Sequence, residues 1–251
     1  MEISKLFLTF IIYSILGWII EVINFMIRKK KFINRGFLIG PYCPIYGVGG
    51  ILITLFLSKY KESVIVLFVM AVFICGILEY FTSYLMEKIF KARWWDYSSK
   101  RYNINGRICL ETLSLFGIMG ILVVYLLEPL VSKFFSYFNV ISINILAIIF
   151  TIIFILDLLL SFKVISSFKN ISIQFKNKDN TEEITRKVRE TLSQKSPFTK
   201  RLVDAFPTFK SVLINIKNEL KRTKDELKGV KKELKKTQKK LKKIENKTKK
   251  K

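Results

Sequence analysis

Gly17-Trp18-Ile19-Ile20-Glu21, then a basic loop, then Ile33-Asn34-Arg35-Gly36-Phe37-Leu38-Ile39-Gly40-Pro41-Tyr42-Cys43-Pro44-Ile45-Tyr46-Gly47, has an echo downstream. The echo runs Gly76-Ile77-Leu78-Glu79-Tyr80, a second basic loop, and Ile104-Asn105-Gly106-Arg107-Ile108-Cys109-Leu110-Glu111, reaching Gly117. Each copy is an apolar span ending in a glutamate, a cationic turn with Asn, Gly and Arg, and a second apolar span. That order predicts a duplicated helical hairpin. Both hairpins enter and leave on the same side, so the repeat is parallel, with its axis along the membrane normal.

The composition sets the class. Hydrophobic residues make up 51% of the chain although 25% is charged, and mean hydropathy is +0.31, so the two kinds of residue must be segregated along the sequence. Apolar blocks fill the first two-thirds and lysines the last third. A formal charge of +24 in a soluble chain points to nucleic acid. Here the cations flank apolar spans or follow them, and the tail has no aromatic platform on which bases would stack. Anionic lipid headgroups are the expected partner, and no nucleic acid is.

Only helices satisfy their own backbone hydrogen bonds in hydrocarbon, and about 20 apolar residues cross it. Candidate spans run about Ile3 to Ile27, Ile45 to Leu57, Ser63 to Met86, Leu110 to Leu127 and Ser142 to Phe162. The second is short and glycine-rich, so a tilted or re-entrant segment is the alternative to a full crossing. Arg28, Lys29, Lys30, Lys31 and Arg35 follow the first span, and Lys88, Lys91, Arg93, Lys100, Arg101 and Arg107 follow the third. The other two loops hold only Lys59 and Lys61, and Lys133. The positive-inside rule then predicts a multi-pass cell-membrane protein with its N-terminus outside and its tail in the cytoplasm. The first span lacks a basic leader and a small-residue cleavage site, so it is read as a helix rather than a signal peptide.

Glu21 and Glu79 lie about two turns from the loop end of their spans. An ionised carboxylate at that depth must be paired, protonated or turned to a cavity, and Arg35, Arg107 and Asp96 are the expected neighbours. Glu111 opens the fourth span. These residues, with Asn34, Arg93 and Asn105, form the candidate substrate or ion pocket; the structural alternative is that the glutamates snorkel or clip the hairpins together. Asn34 to Gly47 is too rich in Gly and Pro for a plain connector and is expected to fold back and line the site. Arg93-Trp94-Trp95-Asp96-Tyr97 either joins it or anchors the interface. Asp157, inside the fifth span, is read either as facing the other helices or as tolerated near the interface.

At these residues the chain resembles the bacterial membrane family called putative ABC-transporter type IV, also labelled CmpB-like permease. The resemblance rests on Asn34 to Gly47, Leu78 to Met86, Arg93 to Tyr97, Asn105 to Leu110, and Arg201-Leu202-Val203-Asp204-Ala205-Phe206-Pro207. It covers roughly residues 1 to 210 and implies a permease subunit that moves a small or lipidic substrate. The chain has no Gly-x-x-x-x-Gly-Lys-Ser/Thr stretch, so energy would come from a separate ATPase subunit or an ion gradient. The Glu-Ala-Ala-x-x-x-Gly coupling loop of many importers is also missing. The competing reading is a non-transporting scaffold that gathers lipids or proteins at the inner face. No enzyme activity, cofactor or metal is expected: histidine is absent, and Cys43, Cys75 and Cys109 lack metal-ligand spacing.

The expected fold is therefore an all-α membrane protein of about five spans with a cytoplasmic coiled-coil tail. The transmembrane part is 1–165 (hairpins about 3–60 and 63–127, fifth span 142–162), followed by a polar linker 166–208 with a short helix near Thr181 to Leu192, and a lysine-rich tail 209–251. In the tail Leu213, Leu220, Leu227, Leu234 and Leu241 alternate with Ile216, Thr223, Val230, Thr237 and Ile244. That 3-4 spacing is a coiled-coil seam of about five heptads, so self-association through 213–244 is expected; a cationic helix lying on the lipid surface is the alternative.

Overall fold

The computed structural model describes residues 3–90, 92–174, 181–206, 210–211 and 227. The coiled-coil seam predicted for 213–244 lies outside them, Leu227 apart. Among the described residues, four helices are long and apolar enough to cross a membrane: Ile3–Lys29, Val64–Phe90, Leu110–Ser136 and the Val140–Ser166 part of a longer helix. A shorter apolar helix, Pro44–Tyr60, accompanies them. Their outward faces carry Ile, Leu and Phe with no protein against them, as at Ile77, Ile148 and Leu159, which is what lipid-facing surface requires.

α1 (Ile3–Lys29) and α2 (Pro44–Leu57) form the first hairpin; α3 (Val64–Phe90) and α4 (Leu110–Leu122) form the second. Lipid tails are as apolar as leucine, so such helices hold together through close contact between small residues. Gly47 lies on Ser14 and Phe10 of α1, and Gly50 on Tyr13; in the second hairpin Gly117 lies on Phe68 and Gly120 on Ala71. Side chains larger than hydrogen at these places would collide with the partner helix.

Beyond α4 the expected stop at Leu127 is not where the helix ends. The chain widens into a π turn, Val123–Leu127, and resumes as α5 (Glu128–Ser136). Pro129 cannot supply an N–H to an i→i−4 ladder, and the wide turn ahead of it keeps the rod continuous. α6 (Val140–Gln174) likewise runs past Phe162. The polar linker folds into two helices, α7 (Thr181–Lys195) and α8 (Pro197–Ala205). Ser196 starts α8 by accepting the Thr199 N–H at 3.2 Å, with Pro197 in the first turn, where its missing N–H costs nothing.

Two cores result. One is the membrane bundle, centred on Leu57, Leu67, Ala71, Val124 and Ile143. The other sits at the loop end, where Phe90, Trp94, Ile165, Leu192, Leu202 and Phe206 close α3, α6, α7 and α8 over the two long loops.

Candidate functional site

The first loop, 30–43, is held from three sides. Asn34 organises its start: its Oδ1 accepts from Trp18 Nε1 at 2.7 Å and from Gly36 N–H at 3.1 Å, while its Nδ2 donates to Ile39 C=O at 2.8 Å. From α6, Asp157 accepts Ile39 N–H at 2.9 Å, Gly40 N–H at 2.7 Å and the Tyr42 hydroxyl, with Ser161 adding a hydroxyl donor at 2.8 Å. Four donors converge on one carboxylate that is 9% exposed, which answers how a charge sits inside this helix. From α8, Arg201 spreads its guanidinium over the carbonyls of Asn34 (3.3 Å), Gly36 (2.9 Å) and Phe37 (3.3 Å). Phe37 stacks on Phe206 at 4.4 Å between centroids and meets Trp94 edge-on at 4.8 Å. Burial, together with donation to Asp157, keeps the Tyr42 phenol well above its ordinary pKa, so it stays a donor.

Behind this clasp lies Glu21. Tyr46 donates to its Oε1 at 2.7 Å, and Arg35 sits 3.4 Å from Oε2. The expected Glu21–Arg35 pairing is present, and the tyrosine is an addition that spacing along one chain did not point to.

The second loop, 91–109, is built differently. Asn105 (φ 52°) and Gly106 (φ 65°) take left-handed conformations, which Asn and Gly adopt at least cost. The turn closes through Arg107 N–H to Ile104 C=O at 3.0 Å, and Asn103–Ile104 pairs antiparallel with Ile108–Cys109. Asn105 Nδ2 also reaches the Tyr80 hydroxyl at 2.9 Å. Arg107, expected beside Glu79, instead meets Glu87 Oε2 at 3.0 Å and Ser83 at 3.2 Å, and Arg93 shares the same Glu87 oxygen at 2.9 Å. Glu87 was not singled out from the sequence, because a glutamate near a span's end reads as interfacial. Asp96, also expected near the glutamates, accepts from Ser98 and lies 3.8 Å from Arg93. Glu111 is on the rim, paired with Lys100 at 2.6 Å and mostly exposed.

Glu79 is the outlier. It is 7% exposed. Tyr97 donates to its Oε1 at 3.2 Å, and its Oε2 is buried with no hydrogen-bond partner among the described residues. The neighbouring Thr112 hydroxyl is committed to Cys109 C=O at 3.0 Å. The Tyr97 phenol is held well above its ordinary pKa by burial first, then by Glu79, and further by Glu21; the glutamates of both hairpins therefore act on one phenol. Such a carboxylate suits a proton or a cationic group, not a permanent ion pair. No cluster with metal-ligand composition occurs among the described residues.

Fold and loops together define a multi-pass helical membrane protein. Over residues 8–162 the chain matches the family described as Putative ABC-transporter type IV, and it belongs to that family. It is accordingly a permease-type, non-enzymatic transport subunit. No curated protein and no solved structure matches the chain.

Proposed function

We propose that the chain carries a small or lipidic substrate through a path between its two hairpins, with Glu79 as the carboxylate that substrate or a coupled proton meets and Glu21, paired with Tyr46 and Arg35, as the polar group that holds the other side of that path. The observation that carries this is Glu79: a carboxylate 7% exposed with one oxygen unpartnered is costly to keep unless something binds there. Arg35 and Arg107 set the local charge. Asn34, Arg93, Asp96 and Asn105 shape the two loops around the path, and Glu111 stands at its rim. In this reading the hairpins are parallel repeats that rock against each other. The repeat is supported by Cys43 and Cys109, each the residue that immediately precedes its return helix, and by the glycine seams in both.

The lysine and arginine asymmetry favours five spans, with α2 among them, the N-terminus outside and the loops, α7, α8 and tail in the cytoplasm. The transmembrane part then ends near 165, the linker 166–208 folds over the loops, and residues 209–251 form a lysine-rich tail. That tail self-associates through 213–244 and lies close to anionic headgroups.

Mass spectrometry of what co-purifies with the tagged protein from its native membrane tests the proposal. A stoichiometric ATPase with a phosphate-binding loop is expected; self-association with no ATPase would instead favour the scaffold.

A further inference from the structure

The groups that act on Glu79 come from α1, the second loop and α4: Glu21, Tyr97 and Thr112. On α3 itself the near titratable group is Cys75, one turn away. Among the described residues none of these is a cation. Tyr46 of α2 is committed to Glu21 at 2.7 Å. The two arginines expected beside the glutamates are engaged away from Glu79, Arg35 with Glu21 at 3.4 Å and Arg107 with Glu87 at 3.0 Å. The charged neighbour that Glu79 does have is therefore a second carboxylate. Two like charges near each other and away from bulk water cost less with a proton on one of them.

The hydrogen bonds point the same way. Tyr97 gives its hydroxyl proton to Oε1 at 3.2 Å, and the loop's own turn sets its place, since Tyr97 N–H donates to Gly106 C=O at 2.8 Å. Thr112 also has a single hydroxyl proton, and it goes to Cys109 C=O at 3.0 Å. Toward the carboxyl, Thr112 therefore has only an acceptor oxygen. An ionised carboxylate is acceptor-only as well, so the two cannot bond, and Oε2 stays buried without a partner. A proton on Oε2 makes that oxygen a donor, with Thr112 Oγ1 as the acceptor beside it. The neutral acid then satisfies both of its oxygens, which the ionised form does not. An ammonium would bring several donors and find few acceptors to receive them. No cluster that could hold a metal ion occurs among the described residues.

We propose that Glu79 is a proton-binding site, with the exchangeable proton on Oε2, Thr112 Oγ1 accepting it and the Tyr97 phenol holding Oε1. The inference rests on the reading of Glu79 as the carboxylate that binds, and it names the proton as what that carboxylate takes up and releases. Glu21, with a phenol and a guanidinium on its oxygens, is satisfied as an anion and needs no proton.

Infrared spectra of the full chain in lipid, taken at neutral pH in light and heavy water, test it. A protonated-carboxyl C=O band that shifts on deuteration and is lost in Glu79→Gln is the expected result. Dicyclohexylcarbodiimide, which adds to protonated carboxyls in apolar surroundings, should label Glu79 about ten-fold over Glu21, and the label should fall as pH rises because the acid is the form that reacts. Spectra with no band that depends on Glu79 overturn the proposal, since the carboxyl is then ionised; the band decides where the two readouts differ, because it needs no access for a reagent. The transport reading is tested apart from this. An ionised Glu79 in a chain that co-purifies with an ATPase sinks the proton and keeps transport, whereas the band in a chain with no such partner keeps the proton and sinks transport.

Discussion

Each hairpin carries a glutamate in its first helix, and the two are treated in opposite ways. In the first, Glu21 has a phenol on one oxygen and a guanidinium on the other, and its loop is fastened by Asp157 and Arg201 from distant parts of the chain. In the second, the loop is fastened by its own turn and by the Arg93–Glu87–Arg107 cluster, and Glu79 keeps one oxygen unpartnered. One hairpin has its polar groups satisfied and its loop clamped; the other stores an unsatisfied carboxylate beside a self-supporting loop. Under the proposed function, the first hairpin's glutamate holds and the second's binds.

The comparison breaks most directly at Asp157. Asp157→Ala strands the Gly40 N–H and the Tyr42 hydroxyl and leaves the Ile39 N–H only its Ser161 contact at 3.1 Å, a loss of about 3 kcal/mol, and a large fall in the thermal midpoint in detergent is expected. A midpoint close to wild type would mean that the loop is not clamped from α6. Arg201→Ala removes three charge-assisted contacts to loop carbonyls and is expected to cost about 2 kcal/mol, with loosening confined to the first loop in hydrogen exchange. Equal loosening of both loops would dissolve the distinction.

How far these contacts were legible beforehand differs by residue. The apolar runs place α1, α2 and α3 within a few residues, because a membrane helix writes its length in continuous hydropathy. Asp157 was visible as a buried charge, but its donors Ile39, Gly40 and Tyr42 lie more than 110 positions away, and no local pattern encodes such a contact. Arg201 stood out only through family resemblance. Glu128-Pro129 reads as a helix end, and the π turn that carries the chain through it has no sequence signature of its own. The Ser196-Pro197 start of α8 was legible in principle as a helix cap, and the surrounding polar composition masked it.

Smaller effects sharpen the comparison. Gly106 is at φ 65°, and a Cβ there would lie 2.6 Å from Asp96 Oδ1, so Gly106→Ala is expected to cost about 1–2 kcal/mol. The second loop alone should loosen in hydrogen exchange; a change that reached the first loop would show that the two are not independently supported. The smallest effect is chemical. Burial, and after it the Glu21 carboxylate, push the Cys43 thiol up to about 12, so at pH 7 to 8 it is almost wholly protonated and shielded. Peptide mapping after maleimide treatment should find Cys43 unmodified in the wild type and modified in Arg201→Ala. Rapid labelling of the wild type would contradict a clamped first loop.

The central claim is that Glu79 works and Glu21 holds. It is tested by the ATP-hydrolysis rate of the subunit reconstituted with its co-purifying ATPase, Glu79→Gln against Glu21→Gln, with thermal midpoints recorded on the same samples. The account predicts that Glu79→Gln keeps its midpoint and uncouples or abolishes hydrolysis, while Glu21→Gln lowers the midpoint and loses activity only in proportion to folded protein. Equal midpoints with unchanged hydrolysis in Glu79→Gln would contradict it.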